Sequence, residues 1–289
     1  MEKDMVIDIK KYQKVLSEML EEIDEICKKY HIRYMLFAGS ALGAVRHQGF
    51  IPWDDDLDII MSRKDYNKFL EVAAQELDEE NYFLQKEFSE HWPMFYSKLR
   101  KNNTTCFESF YPKDDLMHQG IFIDIFAYDN LSDNYCFRKI QFLFSKIVIA
   151  KSLYKRGYMT SSFKKKLFMQ ICRIVPIKKI LDIVKNEKQS NTKCVHSFLA
   201  AGSKYEKNIF ERVWLNEINF TQFEGMQLPI TSHYDDMLKR IYGNYMEIPN
   251  IKDRNCKIHG VFVDLENSYM NYLDMQKKMT FDVYSKSIR

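Results

Sequence analysis

The sequence predicts an α+β protein, and three observations predict it. Apolar residues at helical spacing open the chain; short apolar runs ending in small or acidic residues then recur through the first 130 residues; a long basic stretch of helical pattern follows. At 289 residues the chain can hold one large domain or two modest ones, with a sizeable buried core in either case. The division read from these patterns is a mixed α+β core over residues 1–130, a basic helical region over 131–212, and a segment over 213–289 that folds back to complete the core.

Each element has its own signal. From Asp8 to Tyr30, Ile9, Tyr12, Leu16, Leu20, Ile23 and Cys27 recur at helical spacing and predict an amphipathic helix. RYMLFAG, short and apolar and closed by Gly39, reads as a buried strand. SALGAVR reads as a helix beginning at Ser40, with the Ser40 hydroxyl as its cap. DLDIIM alternates polar with apolar and reads as a second strand. Ser62 and Asp65 form a capping box for a helix running to about Leu77. YFLQKE and MFYSKLR are extended candidates, and GIFIDIF, rich in β-branched and aromatic residues, is a stronger one. Helical patterns dominate from Asn130 to about Phe210, and the last third holds the turn-rich FEGMQLPI and YGNYMEIP.

Composition excludes several classes. A net charge of +3 is too small for a surface built around nucleic acid. The six cysteines are scattered without a Cys-x-x-Cys pair, so reduced thiols are expected rather than a disulfide framework or a zinc site. The charged N-terminus lacks a signal peptide's apolar core, and no apolar run approaches the ~20 residues of a spanning helix, so a cytoplasmic location is expected. Between Arg138 and Lys185 there are thirteen Lys or Arg and one acid, Asp182, interleaved with apolar pairs. That pattern suits peripheral contact with an anionic membrane, and equally a helical subdomain whose lysines face solvent.

The stretch RHQGFIPWDDDLD raises the question of chemistry. Side chains alternate along a strand, so Asp56 and Asp58 project to one side while Leu57 and Ile59 enter the core. Two neighbouring carboxylates repel unless a cation lies between them, and a divalent metal accepts an oxygen from each. In GIFIDIF, Asp124 sits among apolar neighbours and needs a partner. If its strand lies beside DLDIIM, Asp124 becomes a third ligand. A lone D-x-D is common on solvated loops, and Asp54 and Asp55 read as loop or supporting groups. The combination of strand, Gly-Ser turn, helix, D-x-D strand and later strand acid is more specific, and it matches what metal-assisted phosphoryl transfer needs. Backbone amides after Gly39 and Ser40, at a helix N-terminus, are expected to cradle a phosphate.

GSALGAVRHQGFIPWDDDLDIIMSRKDY resembles the signature of the LicD/fukutin family of phosphotransferases, a branch of the polymerase-β-like nucleotidyltransferase superfamily. The resemblance continues through KLRKNNTTCFES, GIFIDIFAYD and the late FEGMQLPI and YGNYMEIP, with Arg254 and His259 beyond them. It implies a nucleotidyltransferase-like core with a mixed sheet flanked by helices. It also implies Mg²⁺ (or Mn²⁺) on Asp56, Asp58 and Asp124, and transfer of a phospho-alcohol from a CDP-alcohol to a hydroxyl of a cell-surface glycan or its lipid-linked precursor. Phosphocholine from CDP-choline is the expected cargo, as in the modification of lipopolysaccharide, teichoic acid or capsule, with CDP-ribitol or CDP-glycerol as the alternative donors.

Further candidates follow from position. Arg46, between the turn and the D-x-D, has a guanidinium fork that matches phosphate oxygens. Lys98 and Arg100 share a strand face, and one of them is expected to touch the donor. His47 reads as a hydrogen-bonding scaffold and Trp53 as a plug beside Pro52, or else as a stacking platform for a base or a choline. His259 and Arg254 are expected to close over the acceptor; Tyr242, Gly243 and Tyr245 read as structural. The rival readings are a nucleotidyltransferase using a nucleoside triphosphate, a metal-dependent glycosyltransferase and a non-catalytic scaffold. A nucleic-acid enzyme is disfavoured, because the basic residues alternate with aliphatic pairs rather than lining a stacking groove.

Overall fold

The structure, a computed structural model, describes residues 8–108, 116–198, 205–250 and 259–277. The opening helix α1 (Ile9–Lys29) is capped by Asp8, whose side chain accepts from the Lys11 amide, and it buries Tyr12, Leu16, Met19, Leu20 and Ile23. Strand β1 (Tyr34–Leu36) leads into α2 (Ala38–His47), and β2 (Asp58–Ser62) into α3 (Arg63–Glu76). Half of the capping box is realised: the Ser62 hydroxyl accepts from the Asp65 amide at the head of α3, and donates to the Asp65 carboxylate at 2.6 Å. Helices α1 and α3 pack on each other and against the sheet.

Strands β3 (Tyr82–Gln85), β4 (Ser97–Lys101), β5 (Thr105–Glu108) and β6 (Phe122–Leu131) follow. The main sheet runs β1-β2-β6-β4-β3. It is mixed: β2 and β6 are parallel, whereas β1–β2, β3–β4 and β4–β6 are antiparallel. The predicted α+β class is therefore the observed one. Both faces of the central strands are shielded, which is why Ile59, Ile60, Met61, Ile123 and Ile125 are all fully buried.

Beyond β6 lie α4 (Tyr135–Arg156), α5 (Phe163–Cys172) and α6 (Lys178–Lys185), then β7 (Cys194–His196), β8 (Ile209–Glu211) and α7 (Arg212–Asn216). The helical pattern read from Asn130 to Phe210 thus contains two short strands it did not disclose. β7 pairs with the end of β6 and β8 with β7, so the chain returns to the main sheet after the helical excursion. A buried ion network ties the two together. Arg63 donates to both oxygens of Asp129 (2.8 and 2.9 Å) and to Glu87 (2.7 Å), and Lys185 of α6 reaches the same Glu87 at 3.0 Å.

FEGMQLPI forms a hairpin of β9 (Ile218–Phe223) and β10 (Met226–Thr231), turning at Glu224 and Gly225 with φ of 47° and 86°. Helix α8 (Tyr234–Tyr242) and strand β11 (Gly260–Asp264) close the described chain, β11 pairing with β5. Phe223, Leu228, Ile230, Met237 and Leu238 of β9, β10 and α8 join the main core. The five cysteines within the described residues are free thiols, three of them buried; Cys256 lies outside those residues. Among the described residues no helix is long and apolar enough to cross a membrane.

Candidate active site

The path of the chain from β1 to β2 builds the site. Ala38 adopts φ 45°, a left-handed turn that non-glycine residues rarely take, to swing the backbone from β1 into α2. The helix starts two residues earlier than the sequence indicates, with Phe37 at the cap position and no side-chain cap. Ser40 is therefore inside the helix. It is buried, and its hydroxyl accepts from the Asp58 amide at 2.8 Å, pinning α2 to the first residue of β2. The expected amide cradle is corrected as well: the Ser40 and Ala41 amides both donate to the Phe37 carbonyl, within the first helical turn. Gly39 has a steric role, because a Cβ there would stand 3.1 Å from Asp54 Oδ2 and 3.8 Å from Asp56 Oδ1.

The acidic run alternates as a strand does. Asp54, Asp56 and Asp58 are partly accessible and line one cavity of about 450 Å³, while Asp55, Leu57 and Ile59 are buried. Asp58 stands directly opposite Asp124 across the parallel β2–β6 pair, and Asp124 opposite Lys98 across β6–β4. Lys98, Asp124 and Asp58 thus form one row across three strands, with Lys98 Nζ 3.0 Å from Asp124 Oδ1. The surrounding protein raises the Asp58 carboxyl well above its ordinary range, and Asp56, Asp124 and Asp54 raise it further. Asp54 and Asp56 are raised for the same reasons, desolvation first and neighbouring carboxylates after it, although His259 pulls Asp56 back. Asp54, expected as a loop or supporting group, stands in the cavity wall beside the other two.

Asp55 has a different role. It accepts from the His259 amide (2.9 Å) and the Gly260 amide (2.7 Å), anchoring the start of β11 against the acidic loop. The His259 ring lies 3.3 Å from Asp55 and 3.4 Å from Asp56. Its hydrogen bond to Asp55, and then the charges of Asp56 and Asp55, hold it protonated up to about 9 against the opposing cost of desolvation. His259 is therefore a fixed positive charge at the cavity rim. Arg254 lies outside the described residues.

The remaining candidates divide. Arg46 and Trp53 line the cavity. The Arg46 guanidinium is engaged, however: Nη1 donates to the Tyr245 carbonyl at 2.8 Å and Nε to His47 Nε2 at 3.0 Å. Burial and the Arg46 charge lower His47, so a neutral scaffold histidine is what the geometry contains. Trp53 packs against the core and meets the His47 ring edge-on at 6.3 Å. Tyr242, read as structural, lines the cavity, and burial and the three aspartates raise its hydroxyl.

Lys98 and Arg100 are absent from the cavity lining. Both are buried, and Arg100 donates to Gln85 Oε1 (2.9 Å) and the Gly120 carbonyl (2.8 Å). Together with Arg156 they surround Glu108, whose nearest cation is Arg156 at 3.0 Å. Burial opposes ionisation of Glu108, but Lys98, Arg156 and Arg100 outweigh it and bring the carboxyl down to about 2. Glu108 falls inside the stretch KLRKNNTTCFES, but its pairing with Arg156 was not legible, since β5 and α4 lie far apart along the chain.

The donor set fits a divalent cation by chemistry: Asp54, Asp56, Asp58 and Asp124 are crowded together, while the nearest cations are Lys98 against Asp124 and His259 against Asp56. Among the described residues no three His, Cys, Asp or Glu side chains already converge closely enough to hold a metal ion.

Fold and carboxylate row together fit an enzyme that transfers phosphate-linked groups. Residues 31–150 match the LicD/FKTN/FKRP nucleotidyltransferase domain. It is 26% identical over 265 residues to the lipopolysaccharide cholinephosphotransferase LicD of Haemophilus influenzae, covering 86% of this chain and 95% of that protein. Shorter matches exist to uncharacterized proteins of Rickettsia typhi (42% over 60 residues) and Rickettsia prowazekii (40% over 73 residues). These span 21% and 23% of this chain, and 19% and 27% of the respective relatives.

Proposed function

We propose that this protein transfers phosphocholine from CDP-choline to a hydroxyl of a cell-surface glycan or its lipid-linked precursor, releasing CMP. The observation that carries the proposal is the set of carboxylates Asp54, Asp56 and Asp58 on one wall of a cavity, with Asp124 opposite Asp58 on the next strand, in a chain similar over most of its length to a cholinephosphotransferase. In the reaction, the acceptor oxygen forms a bond to the phosphorus that bears choline. The bond from that phosphorus to the oxygen bridging to CMP breaks, and CMP leaves with the electron pair. The acceptor's hydroxyl proton is lost to a base.

Each residue has a part in this reading. Asp56, Asp58 and Asp124 would hold Mg²⁺, which when bound neutralises the donor's diphosphate and the charge developing on CMP. Asp54, at the cavity wall with a carboxyl pushed up to about 8, is matched to proton acceptance near neutral pH. Lys98 holds Asp124 in the row from the side away from Asp58. Arg46 fixes the 245–247 backbone as the opposite wall, and His259 supplies positive charge at the rim.

The test is CMP release from CDP-choline with Mg²⁺ and a bacterial glycolipid acceptor, with Asp58→Asn run in parallel. Wild type should form CMP and the variant should fall by at least about a hundredfold, the scale of losing one electrostatic contributor. CMP from CDP-ribitol or CDP-glycerol alone would change the alcohol and keep the mechanism. Pyrophosphate from CTP, with no CMP from any of these donors, would overturn the proposal in favour of a nucleotidyltransferase.

A further inference from the structure

The basic helical region presents an apolar face that the described protein does not cover. On α5, Met169 and Cys172 are buried against Ala150 of α4, which is how the helix is held to the molecule. Other large apolar residues of this segment face outward: Phe163 and Ile174 are 77% and 76% exposed, and Leu167 and Ile171 are also exposed. At about 100° per residue Phe163, Leu167 and Ile171, spaced i, i+4 and i+8, fall within about 80° of arc, and Ile174 follows in the turn just past the end of α5. Lys164 borders the stripe on one side, and Lys166 and Arg173 on the other, all three exposed.

Helix α4 shows the same inversion. Its inward face mixes polar residues with Val148 and Ala150: Gln141 is fully buried, accepts from the Ser132 amide, and donates to the Asn130 carbonyl. Ser145 and Ser152 are buried on that same face, while Ile140 and Leu143 are exposed. Much of the large apolar content of these helices lies at the surface, in a segment with thirteen basic residues and one acid between 138 and 185.

We propose that residues 163–174 lie in the surface of an anionic lipid bilayer, with Phe163, Leu167, Ile171 and Ile174 entering the headgroup–acyl boundary and the flanking lysines meeting lipid phosphates. The charge pattern selects this occupant. A second copy would bring two lysine-bordered stripes together at a repulsive cost, whereas an anionic surface attracts both borders at once. The helix lies on the membrane rather than across it, since no described helix is long and apolar enough to span one. This inference rests on α4 and α5 and is independent of the transfer reaction.

The test is co-sedimentation of the full chain with vesicles of phosphatidylcholine alone and of phosphatidylcholine mixed with phosphatidylglycerol, at low and high salt. Binding is expected to the anionic vesicles only, and to weaken with salt. Phe163→Asp combined with Ile174→Asp should lose on the order of tenfold in affinity for each side chain withdrawn from the interface. The K164E/K165E/K166E variant should lose anionic selectivity. All these side chains are exposed, so the variants keep the wild-type thermal transition. Phe220→Asp, an exposed aromatic on β9, is the control and should bind as wild type. Absence of binding, equal retention on neutral vesicles, or a loss with Phe220→Asp matching that of the α5 variant would each overturn the proposal. So would a dimer in sedimentation velocity that Phe163→Asp dissolves while vesicles go unbound, which would make this face a subunit contact.

Discussion

Replacing Asp58 with asparagine should stabilise the metal-free protein while removing its activity. The Asp58 carboxylate stands opposite Asp124 on the neighbouring parallel strand and shares the cavity wall with Asp54 and Asp56. Two carboxylates about 5 Å apart, the spacing of adjacent strands, repel by about 3 kcal/mol at an effective dielectric of about 20. Lys98 offsets part of this, leaving a gain of about 2 kcal/mol for Asp58→Asn, or about 4–8 °C in Tm. The sign depends on pH. A carboxyl raised in the fold binds its proton more tightly there than in the unfolded chain, so the native state loses stability as pH climbs from the ordinary 3.8 toward the raised value. The advantage of the Asp58→Asn variant should therefore be larger at pH 8 than at pH 4, where the acids are protonated in the native state and only about half ionised in the unfolded chain. Thermal unfolding followed by circular dichroism, in chelator at both pH values, measures this directly. Adding Mg²⁺ should then raise the Tm of wild type more than that of the variant. A lower Tm for Asp58→Asn at pH 8, or a difference of equal size at pH 4, would refute the electrostatic account.

Two other perturbations test the network around the site. Arg63→Ala strands Asp129 and Glu87 without their shared buried partner and should cost about 3–5 kcal/mol, read as a shift in the urea midpoint, with the α6 contact through Lys185 and Glu87 weakened as well. Glu108 has a depressed carboxyl, so its contribution is complete above about pH 4.5 and lost as pH falls toward about 2. Glu108→Gln should cost up to about 3 kcal/mol at pH 7 and show a flatter acid-unfolding profile, with the two proteins converging below pH 2.

The acidic loop shows how far local rules reach. The period of two that places Asp54, Asp56 and Asp58 on one side and Leu57 and Ile59 on the other is a property of any strand, so the cavity-facing acids were legible before the fold. Asp54 shares the parity of Asp56, so its place in the wall was within reach of the same rule; its position beside a turn is what suggested a solvated loop instead. Helix α1, the Ser62 cap and the class of the fold were legible for the same reason: periodicity and capping need only neighbours a few residues apart.

Long-range placement was not. Nothing within GIFIDIF says that Asp124 faces Asp58 rather than another residue, because register between strands is fixed by packing on both faces. Asp55 acquires its role only through amides 204 and 205 residues further along the chain. Lys98 and Arg100 share a strand face as expected, yet the tertiary fold encloses that face under Trp92 and Phe122, so that Lys98 meets Asp124 and Glu108, Arg100 meets Glu108 and the structural framework, and neither lines the cavity. The sequence by itself determined which side chains carry charge and on which side of their own strand each one projects. Tertiary structure alone decided which charges meet, since that depends on loop closure and on burial that no local pattern encodes.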